Sequence, residues 1–270
     1  LALTAGMTLC SSSANSLNQF LEAPYDAQML RTRGRPLPSR NVSHMHAFTF
    51  ACVTGVSGTA ILAGAVNPLS AVLGAANIVL YAGVYTPLKR LSIVNTWVGA
   101  VVGAIPPLMG WVASTGTLLQ STDLPAWILA GILFAWQFPH FNSLAHNVRA
   151  DYAKGGYRMM SVLNPALNRR TGLRYAAALL PLCWALPFSG SAVLPIYAAL
   201  STLPNAVLLQ AAWRFYRDGG EASARKCFFV SLWHLAAIMS LAMACKQDLW
   251  TGLQMRLSGG ELTEEKKGQE

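Results

Sequence analysis

Asn18, Glu22 and Asp26 stand four residues apart in NSLNQFLEAPYD, and Arg31, Arg33 and Arg35 follow closely. A continuing helix keeps positions i, i+4 and i+8 on one broad face, which would bring an amide oxygen and two carboxylates together. Pro24 complicates that geometry, because proline lacks a backbone donor and ends or kinks many helices. Hard oxygen ligands of this kind suit Mg²⁺, which commonly uses one or two carboxylates plus the oxygens of a substrate phosphate. In FNSLAHNVRAD the spacing recurs at Ser143, Asn147 and Asp151, with His140 two helical turns before Asn147. The first cluster alone is weak evidence and reads more readily as a solvated helix end; the second shifts the balance. Together they supply candidate catalytic and metal-ligating residues: Asn18, Glu22, Asp26, Asn147 and Asp151. The cations Arg31, Arg35, Lys89, Arg90 and Arg149 add what a diphosphate needs, since Arg and Lys donors bind oxygens the metal leaves free. If the diphosphate is a leaving group, the same donors stabilise the charge it gains.

The surroundings of these residues are apolar. Of 270 residues, 53% are hydrophobic and 11% are charged, against about 25% charged in an average soluble domain. Apolar stretches long enough for a bilayer, which takes about 20 helical residues, recur near 1–21, 44–64, 69–87, 92–113, 124–146, 173–190, 192–213 and 225–245. The expected fold is therefore an all-α polytopic membrane protein of eight transmembrane helices. Gly and Pro inside GAIPPLMGW and LLPLCWALPFSG agree with this, because neighbouring membrane helices can satisfy freed backbone groups.

Basic residues test the topology. Before the last span ends, every Lys and Arg falls in the connections 22–43, 88–91, 147–174 and 214–226, and none near 65–68, 114–123 or 189–192. The positive-inside rule turns the basic side to the cytoplasm or mitochondrial matrix. Both oxygen clusters lie on that side, and ionisable groups at membrane depth mark function. Residues 1–248 read as one transmembrane domain and 249–270 as a polar tail. The first span starts at residue 1, so the chain reads as a piece with an upstream part missing. The five cysteines are scattered singly, with no CxxC, zinc spacing or CxxCH haem-attachment motif, and read as small buried hydrophobes.

Four stretches carry a resemblance: NQFLEAPYD with RTRGRPL, YTPLKRLSIVNTWVGAVVGAIPPLMGW, WQFPHF and DYAKGGYRMM. They resemble the intramembrane UbiA-type prenyltransferases, and most closely the haem-farnesylating, mitochondrial branch. The resemblance implies nine helices around a lipid-open cavity, one of them preceding residue 1. It also implies the reaction: Mg²⁺-assisted ionisation of farnesyl diphosphate, attack on the farnesyl cation by a vinyl group of haem b, and addition of water. That product lies on the route to haem A for cytochrome c oxidase. The cofactor is Mg²⁺, haem b being a substrate. The location is the mitochondrial inner membrane with the site towards the matrix. Implied partners are farnesyl diphosphate, haem b and the bilayer, with a downstream haem A synthase or self-association as further candidates and no nucleic acid.

Carried over by motif, the metal residues are Asn18, Glu22, Asp26, Asn147 and Asp151. The diphosphate-binding residues are Arg31, Arg35, Lys89, Arg90 and Arg149. Glu22 replaces the family's usual Asp, and Ser143 and Asn147 stand where many relatives carry acids, which favours one metal ion over two. His140 and His146 are candidates for haem contact, as iron ligand or propionate partner. Tyr85, with Tyr81, could line the allylic pocket, where an aromatic face stabilises a cation. Two alternatives stay open: prenyl transfer to a quinone precursor, and a membrane transporter. A transporter predicts a polar path across the bilayer, whereas both clusters lie on one side.

Overall fold

The computed structural model describes residues 1–251; most of the polar tail expected over 249–270 lies outside the described residues. Eight long helices dominate, joined by short connections. They are α1 (Ala2–Asp26), α2 (His44–Ala65), α3 (Pro68–Leu88), α4 (Asn95–Thr115) and α5 (Leu124–Asn147), then, after two short pieces, α6 (Arg149–Lys154) and α7 (Met160–Leu163), α8 (Pro165–Ala185), α9 (Ile196–Asp218) and α10 (Glu221–Ala244). Among the described residues there is no strand, only an isolated bridge between Val193 and Lys246.

Five of these helices, α2, α3, α4, α5 with its short lead-in, and α10, are long and apolar enough to cross a membrane by length and composition. α1, α8 and α9 fall short of that measure, for visible reasons. α1 carries a run of Ser and Asn, α8 begins with NRRTGLR, and α9 ends with WRFYRD. The molecule's exterior is apolar: Phe48, Phe50, Val53, Val56, Leu203, Trp213, Phe229 and Trp233 are all exposed. In water so much uncovered apolar surface would drive association, and in a bilayer it faces chains of its own polarity.

Side-chain caps fix where the helices start. Ser43 Oγ accepts from His46 N at 3.1 Å to open α2, and Asn67 Oδ1 accepts from Ser70 N at 2.8 Å to open α3. Each cap satisfies one of the unpaired amides of a first turn. The Asn67 amide also donates to the Val112 carbonyl at 2.8 Å, which fastens the start of α3 to α4.

Packing follows chain order: α1 against α2, α2 against α3, α3 against α4, and α4 against α5, while α5, α8, α9 and α10 close into a bundle of their own. Small residues let α1 and α2 approach closely, as is usual where helices meet in lipid. A Cβ on Gly58 would lie 2.9 Å from both the Cys10 backbone nitrogen and the Gly6 carbonyl oxygen. A reciprocal pair holds α5 to α8, with Asn142 and Asn168 each donating to the other's backbone carbonyl at 2.9 Å.

Three local features differ from the sequence expectation. First, α1 runs through Pro24 to Asp26 without ending there. Second, the helix carrying Asn147 does not continue to Asp151, because the backbone leaves helical geometry at Val148 (φ −105°, ψ 17°) before α6 begins. Third, α3 widens into a π-helical stretch over Val79–Tyr85. Pro87 explains the last: its ring has no N–H and crowds the carbonyl of the turn before it. The widened turn is closed by Thr86, whose backbone N–H and hydroxyl both reach the Tyr81 carbonyl, the hydroxyl at 2.9 Å. Four of the cysteines are buried, in line with the sequence reading, but Cys52 is exposed on α2.

Candidate active site

Because α1 is continuous, Asn18, Glu22 and Asp26 share one face, and they are 5%, 5% and 1% exposed. Carboxylates this deeply buried must be paired with charge or with hydrogen-bond donors. The end of α3 supplies the first partner: Lys89 Nζ lies 2.9 Å from Glu22 Oε1, although out of line for a hydrogen bond. The same ammonium sits 4.6 Å from the centre of the Tyr85 ring. Arg35, in the turn after α1, donates to Asp26 Oδ2 at 2.7 Å. Asn18 is anchored through its amide nitrogen, which donates to Thr86 Oγ1 at 2.9 Å, so its carbonyl oxygen remains available.

The second cluster comes from the broken end of α5. Asp151 Oδ2 accepts from the Arg31 backbone N–H at 3.3 Å, bringing residues 120 apart in sequence together. Arg31 also reaches the Tyr152 hydroxyl at 3.5 Å, and the Arg90 guanidinium stacks 3.9 Å over the Tyr25 ring. The loop after α6 is tied to the end of α3 by Arg158 N–H donating to the Lys89 carbonyl at 2.7 Å. Ser143 takes no part, since its hydroxyl donates back to the Pro139 carbonyl at 2.7 Å. Arg149 pairs with His146 Nε2 at 2.8 Å and lies 3.7 Å from Glu221 at the start of α10. The structure therefore gives Arg149 and His146 partners towards α10, where the sequence reading had set Arg149 beside the diphosphate.

A fit for Mg²⁺ can be tested on buried oxygens that lack a partner. Among the described residues, Asp26 Oδ1, Asn147 Oδ1 and the Tyr157 hydroxyl are buried without a hydrogen bond, and so is Glu22 Oε1 by angle. Buried polar groups are nearly always satisfied, so several unsatisfied oxygens supplied by α1, α5 and the loop after α6 point to a ligand. No three His, Cys, Asp or Glu side chains among the described residues form a closed cage. Carboxylates mixed with amide oxygens suit an ion that shares its shell with substrate phosphate, and the chemistry of these residues fits Mg²⁺.

Sequence reasoning missed Tyr157, although it lies inside the DYAKGGYRMM stretch. Gly156 turns the chain there with φ +70°, a conformation natural to glycine, and delivers the phenol inward. Tyr157 is packed by Tyr25 and Tyr152. Burial first, and then the Glu22 and Asp26 carboxylates, push its phenol well above the ordinary range. It therefore stays an O–H donor.

Two cavities lie among the helices, and Tyr85, against which the Lys89 ammonium sits, lines one of them. One, of about 480 Å³, lies among α1, α3 and α4 and is lined by Cys10, Asn15, Gly74 and Met109. The other, of about 310 Å³, lies among α3, α4 and α5 and is lined by Tyr85, Gly99, Gln137 and His140. Tyr81, Val102 and Gly103 line both. Tyr85 can lie against α4 because residue 99 is glycine, where a Cβ would meet its ring at 2.7 Å.

His140 is clamped. Its ring stacks between Trp136, at 4.5 Å, and Phe228, at 4.9 Å, and its Nδ1 lies 2.9 Å from Ser231 Oγ. The single hydroxyl hydrogen of Ser231 is already donated to the Phe228 carbonyl at 2.6 Å. Ser231 must then accept from His140 Nδ1–H, which leaves Nε2 with a free lone pair. An imidazole so oriented is prepared for a metal.

A model described as the UbiA prenyltransferase family matches residues 1–235. The chain is similar to proteins named "Protoheme IX farnesyltransferase, mitochondrial". It is 50% identical to the one from Homo sapiens over 250 residues, covering 92% of this chain and 55% of that protein. It is 49% identical to the one from Neurospora crassa over 280 residues, covering 98% and 54%. The chain thus spans about half the length of the curated relatives it matches. Among solved structures, a digeranylgeranylglyceryl phosphate synthase superposes with a TM-score of 0.76 at 13% identity, covering 92% of this chain and 85% of that one. An apo UbiA homolog from Aeropyrum pernix K1 gives 0.68 at 18%, covering 88% of both. At such identities the likeness is one of fold.

Proposed function

The chain belongs to the UbiA prenyltransferase family, and on that premise we propose that it transfers the farnesyl group of farnesyl diphosphate to a vinyl side chain of haem b. Curated relatives at about half identity carry that activity in their names. One observation carries the reading: the buried carboxylates Glu22 and Asp26 are paired with Lys89 and Arg35, and the Lys89 ammonium lies against Tyr85, which lines the smaller cavity.

Asn18, Glu22, Asp26, Asn147 and Asp151 would hold Mg²⁺, which neutralises the diphosphate when bound. Lys89, Arg35, Arg31 and Arg90 donate to the remaining phosphate oxygens, and Tyr157 adds a neutral donor from the carboxylate side. These groups strengthen their hold as the C1–O bond breaks and charge passes to the leaving oxygen, which is where fixed donors accelerate a reaction. The Tyr85 face, one helical turn from Lys89, stabilises the allylic cation. The larger cavity takes the farnesyl chain. The other takes the vinyl-bearing edge of haem b, with iron towards His140 Nε2. We place residues 1–248 as the prenyltransferase domain, in the mitochondrial inner membrane with the oxygen cluster towards the matrix.

The test supplies membranes bearing the full-length protein with farnesyl diphosphate, Mg²⁺ and haem b, and seeks the hydroxyethylfarnesyl haem by mass spectrometry. Formation of that product supports the reading. Its absence where a known synthase succeeds overturns it.

A further inference from the structure

Farnesylation of a vinyl group leaves a cation on the carbon next to the porphyrin, and hydration of that carbon requires a water held in place. We infer that Gln137 holds it, an inference that rests on the haem reading above.

Gln137 lies on α5, one turn before His140, and lines the same cavity. Its amide nitrogen donates to two backbone carbonyls, Ala100 on α4 at 3.0 Å and Leu133 on α5 at 3.1 Å. Only an NH₂ group can serve two acceptors, so the orientation of the amide is decided by its neighbours. Both hydrogens are spent, and Oε1 accepts no hydrogen bond among the described residues. Oε1 also lies directly against Gly103, where any Cβ would collide with it. Gly103 is one of the three residues that line both cavities. The free oxygen thus lies at the seam where farnesyl C1 and the vinyl group must meet.

The other walls offer few rivals. Trp136, Phe138 and Phe141 present ring surface, the Tyr81 hydroxyl lies 3.4 Å from Asn15 Oδ1 and the Thr96 hydroxyl 3.5 Å from Asn95 Oδ1, so the Tyr85 hydroxyl is the rival that the Tyr85→Phe variant below tests. His140 Nδ1 is held by Ser231. An amide oxygen is also safe beside a carbocation, because it orients water without the nucleophilicity of a carboxylate.

The step balances as follows. The C1–O bond of farnesyl diphosphate breaks and its electron pair leaves with the diphosphate. The vinyl π pair forms the new C–C bond and leaves the ring-attached carbon positive. Water, donating one O–H to Gln137 Oε1, gives a lone pair to that carbon. Its other O–H breaks, and the proton goes to a diphosphate oxygen. Without an oriented water, the cation loses a proton from the neighbouring CH₂, giving an alkene lighter by one water.

The experiment reads the product ratio in membranes containing the full-length protein. Gln137→Leu should raise the dehydrated-to-hydrated ratio on the order of tenfold, the worth of one hydrogen bond. Gly103→Ala keeps the amide but fills its place, and should shift the ratio the same way even if Gln137→Leu fails to insert. Tyr85→Phe should slow turnover and leave the ratio alone. A wild-type ratio in both variants overturns the role of Gln137, as does loss of all product in both while they remain inserted. If the wild-type protein farnesylates no haem, the failure lies with the haem reading.

Discussion

Replacing Tyr157 with Phe should make the ligand-free protein more stable and the enzyme slower, and that opposition follows from a single oxygen. The Tyr157 side chain is 4% exposed, and its hydroxyl makes no hydrogen bond of good geometry among the described residues, although the Glu22 carboxylate lies within its reach. A buried polar group without a partner costs about 1–3 kcal/mol. Phe keeps the ring packed against Tyr25 and Tyr152 and removes that cost. At the lower end the gain is about 1 kcal/mol, which raises a melting temperature by roughly 2–4 °C. With diphosphate bound, the variant lacks one hydrogen bond to a charged group, worth about 1.5–3 kcal/mol, or roughly 10- to 100-fold in kcat/KM. Melting in detergent with and without a non-hydrolysable farnesyl diphosphate analogue, beside steady-state rates, separates the two effects. The pH dependence has a definite sign. The folded phenol is held above its unfolded value, so this group gives stability no pH dependence below pH ~10 and lowers it as pH rises further. A variant that melts lower and turns over at the wild-type rate would refute the reasoning.

Asp26→Ala and Asp151→Ala should each abolish turnover while the protein remains in the membrane, measured by product formation beside membrane content; full activity in both would remove the metal assignment. His140→Ala should weaken haem b binding in a spectral titration, and Ser231→Ala should do so to a smaller degree by releasing the ring. Gly58→Val should lower thermal stability by about 1–3 kcal/mol, the usual cost of overpacking, because its side chain meets the α1 backbone at Cys10 and Gly6; an unchanged melting curve would show that α1 and α2 can part without cost.

The grouping of Asn18, Glu22 and Asp26 was legible because helical spacing survives whatever the distant chain does, and the apolar spans were legible because composition reports solvent. What could not be read depends on neighbours. Pro24 sits in an intact helix, while the unremarkable Val148 ends one. Lys89 and Arg35 were foreseen as phosphate donors, but their pairing with Glu22 and Asp26 needs the turn after α1 and the end of α3 in the same place. The approach of Arg149 to Glu221 was hidden for the same reason, since it exists only where α10 packs on α5. Tyr157 lay in a quoted motif, yet nothing local distinguishes an inward-pointing phenol from an interfacial one until Gly156 sets the turn. The shared wall between the cavities is a property of three helices and has no local signature.

The widened stretch of α3 makes the site dependent on length as well as identity. Each residue of an α-helix advances about 100° around the axis, and a π-helical turn absorbs one more residue than its neighbours. Tyr81 and Tyr85 at the cavities, Thr86 against Asn18 and Lys89 against Glu22 all lie within or just beyond that turn. Removing one residue from 79–84 would let the turn close as ordinary α-helix with the residues after it still in register, whereas inserting one would swing everything after it by about 100°. An insertion of that kind would leave a helix of unaltered hydrophobicity with its ammonium aimed at the wrong neighbour. In this segment of the molecule, spacing is inherited as strictly as chemistry.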